Sequence, residues 1–128
     1  QMRKRLYQGD HPEVASSLNN LAWARREQGQ LNEAEALALE ALGMFERLFP
    51  GDHPSVVSCL TNLALALEAQ GREQEAEDRL VEALAMAKRL LPADHEYVTS
   101  ARESLKELRA RRALSYDERP SDEPSPEP

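Results

Sequence analysis

Apolar residues recur along this chain at spacings of three and four. Val14, Leu18, Leu21 and Gln28 lie along one stripe, with Ala24 and Arg25 beside it, and Val56, Leu60, Leu63 and Leu67 repeat the pattern further on. A period of 3.6, not 2, predicts an amphipathic helix at each place. Leu31, Ala34, Ala38, Ala41, Phe45 and Leu48 form a second stripe and predict a second helix over about residues 32–48. Punctuation bounds these elements. Asp10 is the expected N-cap, its carboxylate accepting from orphan backbone N–H groups, with Pro12 in the first turn and Glu13 at capping-box spacing. Gly29 and Gly71 are expected to stop the first helices, and Pro50 and Pro92 the second ones.

The two-helix pattern is itself repeated. "GDHP" at 9–12 returns at 51–54, and "ADH" stands at 93–95, an interval of 42 residues. Val14, Val56 and Val98 keep that interval, as do Ser16, Ser58 and Ser100, and Leu21, Leu63 and Leu105. So do Met2, Met44 and Met86, and the short strings "QG", "EAE" and "EAL" recur between the two full units. Repetition at a fixed interval of this length points to a stacked array of supersecondary units. The boundaries predicted are the end of a preceding repeat helix at 1–8, repeats at 9–50 and 51–92, a capping helix at 93–114 and a disordered acidic, proline-rich tail at 115–128.

Composition fits an all-α protein. Aromatic residues are 5% of the chain and Ala, Leu, Glu and Arg dominate, a helical alphabet with few β-branched residues. No apolar run approaches the roughly 20 residues that span a bilayer, and no signal segment opens the chain. The single cysteine cannot form an internal disulfide, which fits a reducing, cytoplasmic setting. A net charge of −7 argues against nucleic acid and anionic membrane as partners. Cys59 falls in a small-residue slot shared with Ser17 and Ala101 and reads as packing. Ala34, Ala41, Ala76 and Ala83 sit where two helix backbones approach closely.

The segments "LNNLAWARREQGQLNEAEALALEAL" (18–42) and "LTNLALALEAQGREQEAEDRLVEAL" (60–84) resemble the tetratricopeptide repeat family. The 42-residue interval, with its "DHP…NLA…QG…EAE…AL" order, resembles the kinesin light chain type of repeat, over about residues 1–112. The resemblance implies a right-handed superhelical solenoid of antiparallel helix pairs, with a concave groove lined by the first helix of each pair. It implies a non-catalytic scaffold that binds a segment of another protein.

The ends carry further expectations. "QMRKRLYQ" (1–8) matches "GMFERLFP" (43–50), so the chain is expected to open on the last turns of an earlier helix, as a piece of a longer array with an exposed apolar N-terminal face. A homodimer through that face is the alternative to groove binding. Toward the other end, Arg102 and Lys106 stand where Leu18/Leu60 and Ala22/Ala64 stood, so the third first-helix, about 94–112, reads as a polar cap. Arg109, Arg111 and Arg112 are expected to complement its C-terminal dipole. The segment "SYDERPSDEPSPEP" (115–128) has too little apolar surface to order itself and reads as a solubilising tail, or as a competitor folding back onto a basic patch.

No catalytic constellation, phosphate loop or metal motif is present in the sequence, and no cofactor is implied. His11, His53 and His95 stand one repeat apart, roughly 10 Å per step, too far to converge on one ion, and read as helix-start residues packing across the linker. Glu33 and Glu35, like Glu75 and Glu77, are two apart on a helix and point apart. The groove positions implied by the resemblance are Ser16, Asn19, Asn20, Trp23 and Arg26 in the first unit. They are Ser58, Thr61, Asn62 and Leu65 in the second and Ser100 and Ser104 in the third. Asn20 and Asn62 either form a ladder of amides for a ligand backbone or tie neighbouring helices together. Trp23 is the candidate apolar anchor. No lysine clamp for a carboxylate is present, and Glu68, Glu103 and Glu107 are expected to disfavour an acidic peptide.

Overall fold

A computed structural model describes residues 9–118, which form five α-helices and no strand. They are α1 (Pro12–Glu27), α2 (Leu31–Leu48), α3 (Pro54–Ala69), α4 (Glu73–Leu90) and α5 (Glu96–Glu118). The segment 1–8, and the tail beyond residue 118, lie outside the described residues.

The helix starts differ from the expected caps. The N-cap of α1 is His11 and that of α3 is His53, both in extended conformation, with Pro12 and Pro54 following. Proline suits this place because its missing donor has no intrahelical partner there. Asp10 does not occupy the N-cap position of α1, and the His11 side chain makes no cap hydrogen bond there. Instead His53 Nδ1 accepts from the Ser55 backbone N–H at 3.0 Å, while its ring stacks on Phe49 with centroids 4.1 Å apart. His95 Nδ1 accepts from the Tyr97 N–H at 3.0 Å. His53 therefore begins its helix and packs across the linker, His95 accepts in the same way at the start of α5, and His11 makes no side-chain cap bond.

The first helices stop where glycine permits. Gly29 and Gly71 have φ of +80° and +86°. Gln30 N–H donates to Arg25 O at 2.8 Å and Gly29 N–H to Arg26 O at 3.0 Å. Arg72 and Gly71 repeat these bonds onto Leu67 and Glu68. This is the Schellman closure, which a residue with a Cβ enters only under strain. The equivalent position on α5 is Ala113, and that helix runs on to Glu118, past the boundary expected at 114 and into the stretch read as tail. The helix also starts at Glu96, two residues later than the expected Asp94.

The helices pack as two rows. Each first helix pairs with the second helix of its own repeat (α1 with α2, α3 with α4), and each second helix then packs on the next first helix (α2 on α3, α4 on α5). The first helices α1, α3 and α5 also touch in succession, whereas α2 and α4 do not touch each other. The array therefore curves toward the first-helix side, and its hollow face is made by α1, α3 and α5.

The central helix is buried nearly all round: Val56, Val57, Cys59, Leu60, Leu63, Ala64, Ala66 and Leu67 all lie in the interior. Phe45 of α2, Leu80 of α4 and Leu108 of α5 fill the space about it. Ala34, Ala41, Ala76 and Ala83 are fully buried, as close backbone packing requires. The stripe expected to be core on α1 is so only in part: Leu18 is half-buried against the core, but its neighbours are exposed. Val14 is 44% and Leu21 38% exposed, against 2% and 3% for their equivalents Val56 and Leu63. The reason is geometric: α3 touches α1, α2, α4 and α5, whereas α1 touches α2 and α3 only.

Candidate functional site

A hollow of about 200 Å³ opens on the concave side between α1, α3 and α5. Trp23 and Arg26 line it from α1, Ser58, Thr61, Asn62 and Leu65 from α3, and Ser100 from α5. These seven were expected from sequence. Val57, Glu96 and Tyr97 line it too, and the sequence reading missed them. Tyr97 had a signal, as an aromatic two residues past a helix-start histidine, but its place depends on how α5 crosses α3. Leu65 and Val57 supply an apolar floor. Trp23 stands 52% exposed at the rim.

The remaining expected residues are placed differently. Asn19 is 8% exposed and turned inward. Its Nδ2 donates to Ser58 Oγ at 3.0 Å, and its Oδ1 accepts from Asn62 Nδ2 at 2.8 Å. Asn62 thus ties α3 to α1 through a part-buried amide pair while also lining the hollow. Asn20 is exposed and is not among the residues that line this hollow. Ser16 and Ser104 also lie outside its lining. Thr61 Oγ donates to its own helix, to Val57 O at 3.0 Å.

The concave face continues into a shallower hollow of about 400 Å³ lined by Arg26, Leu65, Glu68, Glu73, Glu107 and Arg111, among others. Glu68 is ion-paired with Arg111, so it does not present the free negative charge expected of it. Arg109 donates to Glu77 at 2.8 Å, and Arg112 pairs with Glu77 and Glu73. These arginines brace α5 against α4 and α3; they do not sit at the end of α5, and their charge is matched by carboxylates. Arg26 lies between the two hollows and carries a buried Nε with no hydrogen-bond partner among the described residues. Its Nη2 contacts Glu27 at 3.3 Å.

Other chemistry on this frame is structural. Burial, and then the nearby Glu46 carboxylate, pushes the Cys59 thiol up to about 12, so it stays protonated and unreactive near neutrality. Glu33 pairs with Arg25 and Glu35 with Arg72, two carboxylates two residues apart with different partners. No group of three His, Cys, Asp or Glu among the described residues is placed to hold a metal ion. No described helix is long and apolar enough to cross a membrane.

Stacked helix pairs, short turns and a concave inner row define a helical-repeat solenoid, a class whose members offer extended surfaces to other polypeptides. The tetratricopeptide repeat model matches residues 1–47 and 25–89. The chain belongs to that family. Its fold is similar to a solved structure of nearly identical TPR-like repeats from a kinesin light chain-type protein of Podosopora anserina, with a TM-score of 0.71 and 23% identity over 92% of this chain. A second solved structure, of a substituted form of those repeats from the same organism, superposes with a TM-score of 0.68 and 24% identity over 87% of this chain. The chain spans 63% and 52% of the length of those two solved chains. No curated protein matches this chain in sequence.

Proposed function

We propose that this chain is a non-catalytic interaction module that holds a short segment of another protein against the concave row of α1, α3 and α5. The observation that carries this reading is Trp23. A large aromatic left half in solvent, beside a hollow floored by Val57 and Leu65 and rimmed by hydroxyl and amide groups, is the composition of a protein-binding pocket. Burying such an aromatic against a ligand side chain supplies most of an interface's energy in many complexes. The buried Arg26 Nε offers a donor to an acceptor on the ligand.

Trp23 is the sole tryptophan of the chain, so its emission reports this site directly. A displayed peptide library selected on the full chain tests the reading. Selected peptides are expected to shift Trp23 emission to the blue and to lose at least tenfold in affinity on Tyr97→Ala, with the far-ultraviolet circular dichroism unchanged. Ligands that bind without altering Trp23 emission and are indifferent to Tyr97→Ala would place the interaction elsewhere and defeat the proposal.

A further inference from the structure

Charge is unevenly divided around the concave groove. The two hollows share Arg26 and Leu65, so they form one groove that follows α5 from Glu96 and Tyr97 to Glu107 and Arg111. Four carboxylates line it, those of Glu68, Glu73, Glu96 and Glu107, against the two guanidiniums of Arg26 and Arg111. Arg111 is taken up by Glu68, Glu73 lies 3.7 Å from Arg112, and Arg26, with its side chain 20% exposed, contacts Glu27. The Glu96 and Glu107 carboxylates have no ion pair or hydrogen bond among the described residues.

These two carboxylates belong to one stripe. Glu96 and Glu107 differ by about 20° around α5, and Glu103 falls about 20° to the other side of Glu96. All three are exposed, and Glu103 also has no partner among the described residues. Arg102 and Lys106 stand about 80–120° away around the helix. Glu103 and Glu107 are one turn apart, a like-charge spacing that weakens a helix. Arg111, one turn further on, is engaged by Glu68 and does not relieve them. A second observation points the same way. The rings of Trp23 and Tyr97 line the hollow that Glu96 also lines. An aromatic face attracts a cation, and a neighbouring carboxylate adds to the attraction.

We propose that the occupant of the concave groove is a cationic, extended segment of another protein. One Lys or Arg faces Glu96 beside Trp23 and Tyr97, a second faces Glu103 and Glu107, and an apolar residue between them lies over Leu65. This rests on the groove-binding function proposed above and adds the ligand's charge to it. The stripe from Glu96 to Glu107 is about 16 Å long, a length that about five residues of extended chain span. Arg26 stands on the α1 wall, where its buried Nε is left for a backbone carbonyl of the ligand. The net charge of −7 steers the same ligand toward the groove.

The test uses the full chain and three tryptophan-free synthetic peptide libraries of equal length, each with a central Leu or Phe. The flanking positions are Lys or Arg in the first library, Asp or Glu in the second and Ser or Gln in the third. Binding is read from Trp23 emission. The basic library is expected to bind at least tenfold more tightly than either of the others, with the advantage falling as salt is added. Glu103→Gln with Glu107→Gln should weaken its binding at least threefold. Glu40→Gln with Glu46→Gln, the same loss of charge at exposed positions of α2, should change it less than twofold. The proposal is overturned if acidic or uncharged peptides bind as tightly as basic ones. It is also overturned if the two double variants lose affinity equally, since net charge alone then accounts for the preference. Uncharged peptides that bind as tightly as basic ones, shift Trp23 emission and weaken on Tyr97→Ala would leave the groove-binding function standing while the cationic ligand falls. If no library moves Trp23 emission, both fall.

Discussion

Arg47 grips Asp10 with both ends of its guanidinium: Nε donates to Oδ2 at 2.7 Å and Nη2 to Oδ1 at 2.8 Å. Arg89 holds Asp52 in the same way, at 2.6 and 3.0 Å, across the same separation of 37 residues. The aspartate of the recurring loop thus closes its own repeat, joining the chain before the first helix to the last turn of the second. A bidentate arginine–carboxylate contact fixes direction as well as distance, so this clasp sets the angle at which each hairpin is entered.

The two clasps differ in burial, and that difference orders their energies. The Asp10 side chain is 2% exposed and that of Asp52 is 34%. Asp10→Ala leaves Arg47 without its bidentate partner and should destabilise by about 1.5–3 kcal/mol, the range for hydrogen bonds to charged groups. Asp52→Ala should cost less, since solvent screens its pair. Urea denaturation of the two variants measures both, and the prediction fails if Asp52→Ala costs as much as or more than Asp10→Ala.

The Arg89 guanidinium holds the Asp52 carboxyl below its ordinary value near 3.8. A group with a depressed folded-state value stabilises the fold fully above the unfolded value and loses that contribution as pH falls through the folded one. The difference in melting temperature between the natural chain and Asp52→Asn should therefore be level from pH 7 to about pH 5 and shrink as pH falls below about 4. A gap that widens on acidification would contradict the clasp.

Glycine decides where the first helices stop. At Gly71, with φ of +86°, nothing lies within 4 Å of an added Cβ, so the cost of Gly71→Ala is backbone strain alone, about 1–2 kcal/mol. The reverse change on α5, Ala113→Gly, should install the stop that α1 and α3 have. Amide chemical shifts of residues 114–118 should then move from helical toward coil values, while those of Val98 to Leu108 stay in place.

Burial makes Cys59 inert. With its thiol pushed up to about 12, a disulfide reagent at pH 8 should leave the native chain unmodified and react at once in denaturant. Cys59→Leu should destabilise by about 1–3 kcal/mol through overpacking, whereas Cys59→Ala should be tolerated far better.

Much of this architecture was legible in the chain because it is written more than once. The 42-residue interval, the helical stripes and the glycine and proline stops each depend on local sequence, and local sequence decides them. Two things were not legible. Asp10 and Asp52 have the right chemistry for a helix cap, and only tertiary geometry shows that an arginine 37 residues away takes them first. Val14 and Leu21 match buried residues of α3, but burial depends on a neighbour, and periodicity records a face without saying what covers it. The end of α5 could have been read from Ala113 at the glycine position, since the propensity of 115–128 says nothing about the missing stop. For the groove, the spacing implied by the resemblance reached seven residues that line the hollow and four that do not. It could not separate Asn19, turned inward, from Trp23, turned out, four positions along the same face.

That separation gives the last prediction. Asn62 lines the hollow and also donates to Asn19 across the α1–α3 contact. Asn62→Ala leaves the part-buried Asn19 oxygen without this donor, and an unmet group of that kind costs about 1–3 kcal/mol. It also loosens the spacing of the two helices that shape the pocket. Trp23→Ala removes a side chain half in solvent and leaves every inter-helix bond in place. The tryptophan variant should therefore weaken a groove ligand with little change in urea midpoint, whereas Asn62→Ala should lower both. The double change Asn19→Ala with Asn62→Ala discriminates further: it removes donor and acceptor together, so it should cost less than the sum of the single changes, with a coupling of about 0.5–1.5 kcal/mol. Strict additivity in that cycle would mean the amide pair does not join the helices, and the loss of binding in Asn62→Ala would then have to come from direct contact with the ligand.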